Sequence, residues 1–116
     1  MSTQYVTKPM KDGRLQLTKP YNNGVSIKNW PKLEGGWEVH INWPYSLGLN
    51  EEQMKFINSN GLKATRSFRW HQIRFSEKRI IENPSEMFST MEALKPVVSI
   101  LKSLEKSQNS SKILKP

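Results

Sequence analysis

Residues 37–43 read WEVHINW, and apolar and polar side chains alternate through the stretch without a break. A period of two is the spacing of a half-buried β-strand. The pattern predicts a strand with Trp37, Val39, Ile41 and Trp43 on its buried side. Glu38, His40 and Asn42 fall on the opposite, wet side.

The fold reading grows outward from this strand. Upstream, Arg14–Thr18 (RLQLT) and Val25–Trp30 (VSIKNW) are shorter strand candidates, separated by the turn residues of KPYNNG. Pro31–Gly36 forms the next loop, so three strands in succession predict an antiparallel meander. Downstream, Pro44 stops the strand and Leu49–Asn60 takes over as a helix. Asn50 is its N-cap, Glu51 and Glu52 suit the helix dipole, Gln53 completes a capping box, and Gly61 marks the end.

Lys63–Ser76 (KATRSFRWHQIRFS) is again strand-like, but its apolar parity changes. Ala64, Phe68 and Trp70 share one side, while Ile73 and Phe75 share the other. A bulge at His71–Gln72 would return both sets to the core, with a tight reversal as the alternative. The bulged strand puts Lys63, Thr65, Ser67, Arg69, His71 and Arg74 on the wet face. A second helix begins at Asn83–Glu86 (NPSE), where Asn83 caps and Pro84 fits the first position. Its apolar stripe runs through Met87, Met91, Leu94, Val98 and Leu101, widened by Val97, Ile100 and Leu104, and Pro96 kinks or divides it. The expected fold is α+β. It has an antiparallel sheet of three to five strands, order β-β-β-α-β-α, and a long C-terminal helix packed across the sheet. Residues 1–12 are expected as a flexible basic arm, 13–106 as the single domain and 107–116 as a disordered basic tail.

The chain of 116 residues has a net charge of +8 and a pI near 9.9. An anionic partner fits that balance. The absence of cysteine excludes disulfides and thiolate chemistry and fits a reducing compartment. Neither a signal-peptide h-region nor a span-length apolar run is present, so the cytoplasm of a cell or infected host is expected.

The positive charge is unevenly placed. Lys63, Arg66, Arg69, Arg74, Lys78 and Arg79 stand against the single acid Glu77 between positions 63 and 79. The first 33 residues add Lys8, Lys11, Arg14, Lys19, Lys28 and Lys32 against Asp12. Arginines interleaved with aromatic rings are how sheets bind single-stranded nucleic acid. The rings that could stack are Tyr21, Trp30, Tyr45, Phe68 and Trp70. Alternation assigns Trp37, Trp43, Phe68 and Trp70 to the core and leaves Trp30 and Tyr45, beside prolines, as the exposed pair. The leading expectation is therefore a non-enzymatic nucleic-acid-binding protein. Lys28, Lys32, Lys63, Arg66, Arg69, Arg74, Lys78 and Arg79 would meet phosphates, while Trp30, Tyr45 and His71 stack or hydrogen-bond.

Two other classes compete. A viral or mobile-element interaction module could use the same basic face against an acidic protein surface. Alternatively, Val97, Ile100, Leu101 and Leu104 could form a homodimer seam. A metal-independent nuclease would need His40 and His71 to meet as base and acid. No His-x-His, HExxH or clustered aspartates suggest a metal, and no phosphate loop or other cofactor motif is present. Finally, Val25–Ile57, with its glycine-containing turn and LNEEQ helix entry, resembles the positive-cofactor type of single-stranded-DNA-binding fold. The resemblance covers about a third of the chain. It implies a strand pair feeding a capped helix, and this chain adds a basic strand and a second helix beyond it.

Overall fold

The computed structural model describes residues 5–77 and 79–114. Its strands are β1 (Val6–Pro9), β2 (Leu15–Pro20), β3 (Ser26–Pro31), β4 (Trp37–Pro44), β5 (Leu62–Ser67) and β6 (Trp70–Phe75). Helix α1 (Glu51–Ser59) lies between β4 and β5, and α2 (Pro84–Leu114) follows β6. The strands form one six-stranded sheet in the order β1-β2-β3-β4-β6-β5, with every neighbouring pair antiparallel. The α+β class and the meander up to β4 are as the sequence predicts.

Two strand assignments are corrected. Val6–Pro9, expected within a loose arm, pairs with Leu15–Thr18 as an edge strand. All four of its residues are exposed, so no apolar alternation announced it. The stretch 63–76 is not one bulged strand but a hairpin, because the chain reverses at Phe68–Arg69 and Ser67 pairs with Trp70. The parity change thus comes from a two-residue turn, and Phe68 is 79% exposed instead of buried. After Ile73 the pairing with β4 is interrupted, and Ile81 resumes it opposite Trp37 through two backbone hydrogen bonds of 2.7 and 2.8 Å. Gly36 makes this approach possible: a Cβ there would sit 2.7 Å from the Ile81 carbonyl oxygen.

Both helices cover the same face of the sheet, α2 across β3 and β4 and α1 against β5 and α2. That face supplies the core: Val25, Ile27, Val39, Ile41, Trp43, Leu62 and Ile73 meet Ile57, Met87, Met91, Leu94, Val98 and Leu101. The helix starts are built as their sequences predict. Asn50 and Gln53 form a reciprocal capping box, and Asn83 Oδ1 accepts from the Ser85 and Glu86 amides. The buried Gln53 side chain then ties the helices together by donating to the Leu101 carbonyl at 2.9 Å. Helix α2 passes through Pro96, which lies on its exposed side, and its backbone stays helical to Leu114, into the segment expected as a tail. No described helix is long and apolar enough to cross a membrane.

The proposed seam on α2 is largely accounted for by this packing. Leu101 is fully buried in the core, Val97 and Leu104 are half-buried, and Ile100 is 41% exposed. Leu101 is therefore a core residue and not a docking one. The stripe is wide because α2 packs against the sheet and α1 together.

One buried amide joins the two halves of the meander. Asn29 on β3 is 0% exposed. Its Oδ1 accepts from the Leu17 amide at 2.6 Å, and its Nδ2 donates to the Leu15 carbonyl at 3.3 Å and to Met87 Sδ at 2.9 Å. Gln16 Nε2 donates to the Asn29 carbonyl at 3.2 Å. Regular β2–β3 pairing covers only Thr18–Pro20, so these side chains extend the connection where the ladder stops.

Candidate nucleic-acid interface

The face of the sheet opposite the helices is lined by the other parity of each strand. Cross-strand register arranges it in rows. Lys28 stands opposite His40, and Lys63 opposite Arg74. Ile41 pairs with Ile73, so Arg74 falls beside His40 and completes the row Lys28–His40–Arg74–Lys63. With neighbouring strands about 4.8 Å apart, the row spans roughly 14 Å. Two residues along the strands, Ser26, Asn42, Gln72 and Thr65 make an uncharged polar row. Beyond it lies Pro44–Trp70–Ser67, and on the other side Trp30 stands opposite Glu38.

Glu38 fixes the cation row. It pairs with Arg74 at 2.5 Å and Lys32 at 3.4 Å. Burial alone would raise the Glu38 carboxyl; the Arg74 hydrogen bond and charge, with Lys32, outweigh it and hold the group below its ordinary value. The arrangement leaves Lys28 and Lys63 without a carboxylate partner among the described residues. Glu38, Lys63, Thr65, Arg74, Phe75 and Ser76 line a cleft of about 240 Å³ at one end of the row.

His40 lies at the centre and is only 3% exposed, because neighbouring side chains lie over it. Trp30 stacks on its ring, with centroids 5.6 Å apart and an interplanar angle of 21°. Burial first, then the Arg74 charge, push its pKa down to about 4, so the imidazole is neutral near pH 7. Neither ring nitrogen has a hydrogen-bond partner, and the same holds for Trp30 Nε1 and Asn42 Oδ1. Glu38, His40 and Asn42 were expected on a wet face. They do lie on the helix-free side but are buried there by their neighbours.

The neutral His40 has a measurable consequence. Its folded pKa of about 4 lies below its unfolded value of about 6.5. The associated stability is therefore complete above about pH 6.5 and is lost as pH falls toward 4, where the unfolded chain takes up the proton first. Urea unfolding at pH 7.5 and pH 5 is expected to differ by about 2 kcal/mol for the native chain. His40→Phe, which can stack on Trp30 but cannot protonate, is expected to remove most of that difference.

The remaining candidate residues form a separate cluster at the end of the sheet. The Arg66 guanidinium lies 3.4 Å from the Tyr45 ring centroid, and Tyr45 contacts His71 with centroids 4.9 Å apart. His71 shares register with Trp43, so it projects from the helix side. His40 and His71 consequently leave the sheet on opposite faces, and the two-histidine acid–base pair does not form. Burial and the Arg66 charge lower the His71 pKa. Because Arg66 and His71 already contact Tyr45, its ring is not a free stacking platform. Arg69 sits in the hairpin turn, and Arg79 lies 5.8 Å from the Phe75 ring and lines a small pocket together with Glu38 and Arg74. Lys78 lies outside the described residues.

Of the residues singled out from sequence, the structure gathers Lys28, Trp30, Lys32, Lys63 and Arg74 on one face. Ser26, Asn42, Thr65 and Gln72 complete that face without a site role from sequence, together with His40, weighed only as a catalytic partner of His71, and Trp70, assigned to the core. The tight-reversal reading of 63–76 was the signal that would have put Trp70 there. No group of three His, Asp or Glu gathers into a metal-binding cluster among the described residues. No family model, curated protein or solved structure matches this chain.

Proposed function

We propose that the helix-free face binds single-stranded nucleic acid, with the phosphate backbone running across the strands over Lys28, Arg74 and Lys63. The observation that carries this reading is the cation row itself. Three basic residues on four adjacent strands share one line, on a sheet face that neither helix covers. In the next row Gln72 and Thr65 are partly exposed and offer an amide and a hydroxyl beside the cations, and Trp70 follows, also partly exposed. The uncharged row is also built to receive bases more than a second layer of phosphates.

A salt series tests the reading. Binding of a mixed-sequence single-stranded oligonucleotide is expected to weaken with a log–log slope at least as steep as about −2, the contribution of three row phosphates at roughly −0.7 each. Binding to a duplex of the same sequence is expected to be weaker, because paired bases cannot reach the polar row. Affinity that does not respond to salt, or a clear preference for duplex, would count against the proposal.

A further inference from the structure

We infer that Phe68, at the tip of the β5–β6 hairpin, is a base-stacking residue for the bound strand, with Arg66 and Arg69 on the adjacent phosphates. The inference rests on the single-strand-binding reading of the neighbouring face and adds a site that the cation row does not contain. Three observations carry it. Phe68 occupies the first position of a two-residue turn at φ 59°, whereas the following Arg69 is not in the positive-φ region. That turn geometry normally takes glycine, and a bulky residue there is strained. The strain gives no packing in return, because the ring is 79% exposed. A large apolar ring held in solvent at a conformational cost is the pattern of a residue kept for contact with something outside the fold.

The surrounding cations are already oriented. Arg66 donates from Nε to the Phe68 carbonyl at 3.2 Å while its guanidinium carbon sits 3.4 Å from the Tyr45 ring centroid. That is the only side-chain hydrogen bond of Arg66 among the described residues, so its terminal nitrogens remain available. The Arg69 guanidinium lies 5.4 Å from the Phe68 ring centroid. The turn is tied to the sheet by the Tyr45 amide, which donates to the Arg69 carbonyl at 2.8 Å. An unpaired nucleobase is flat and π-rich, and its flanking phosphates demand nearby cations; the tip supplies both. Trp70 continues the path from this tip to the open face.

Glycine at position 68 separates the two roles of the residue. Phe68→Gly is expected to leave Tm unchanged or raise it by a few degrees, since it relieves the turn. The same change is expected to weaken binding of a single-stranded oligonucleotide about tenfold, the loss of one stacked base. Phe68→Trp should retain the affinity, and Phe68→Leu, apolar but not planar, should not. If Phe68→Gly or Phe68→Leu binds as tightly as the native chain while substitution of the cation row still abolishes binding, the stacking assignment falls and the open-face reading stands. If the native chain binds no oligonucleotide, both fall.

Discussion

Asn29→Leu is expected to lower the folding free energy by about 3 kcal/mol, although the new side chain has nearly the same volume. The leucine would fit the space but could not replace Oδ1 at the Leu17 amide or Nδ2 at the Leu15 carbonyl. The Leu17 amide is buried, and a buried donor left unpaired costs about 1–3 kcal/mol. The carbonyl and the lost contact with Met87 Sδ add to this. For a domain whose total stability is of order 5–15 kcal/mol the loss is large, and Tm should fall by at least about 10 °C. Urea unfolding checks the figure. Asn58→Leu, at an exposed position on α1, is the control and is expected within about 0.5 kcal/mol of the native chain. Amide exchange of Leu17 should accelerate selectively in the Asn29 variant, because regular pairing with β3 does not reach that residue.

The second large effect concerns binding. Replacing Lys28, Lys63 and Arg74 together by glutamine is expected to reduce affinity for single-stranded oligonucleotide by about 100- to 1000-fold at low salt. Each charge-assisted hydrogen bond to phosphate is worth about 1.5 kcal/mol, and every 1.4 kcal/mol is a factor of ten. The salt slope should flatten by about 2 at the same time. Glutamine keeps much of the length of each side chain, and Glu38 retains Lys32 as a partner. The fold is thus expected to survive, which circular dichroism would verify. Glutamine at Lys11, Lys55 and Lys102, in the β1–β2 turn and on the two helices, removes the same charge away from that face and should cost far less. An equal loss in both triple variants would mean that net charge, and not the row, governs binding.

The sequence was readable where interactions are local. The Asn50–Gln53 capping box and the Asn83 cap depend on residues within one turn, and both helices begin as their sequences predict. WEVHINW alternates because one side lies under helix α2, and its odd-numbered residues are the core side of β4. The hairpin at 68–69 was harder to see. Phe68 carries no glycine or asparagine turn signal and takes a positive φ against its own preference. Strand β1 was silent for a different reason: an exposed edge strand has no buried side to pattern. The candidate site was legible only in its basic residues. Which of them share a line depends on register across four strands, two of them separated from the rest by α1. The burial of His40 on a helix-free face likewise depends on Trp30, Lys28 and Arg74 arriving from other strands. No local rule would have predicted it.

The same non-local geometry makes the central claim directly measurable. Backbone amide and side-chain resonances can be followed by nuclear magnetic resonance as a short single-stranded oligonucleotide is added at low salt. The account predicts shifts concentrated on Ser26, Lys28, His40, Asn42, Thr65, Gln72 and Arg74, with the α1 and α2 faces unmoved. Shifts confined to the helices, or none at saturating oligonucleotide, would contradict it.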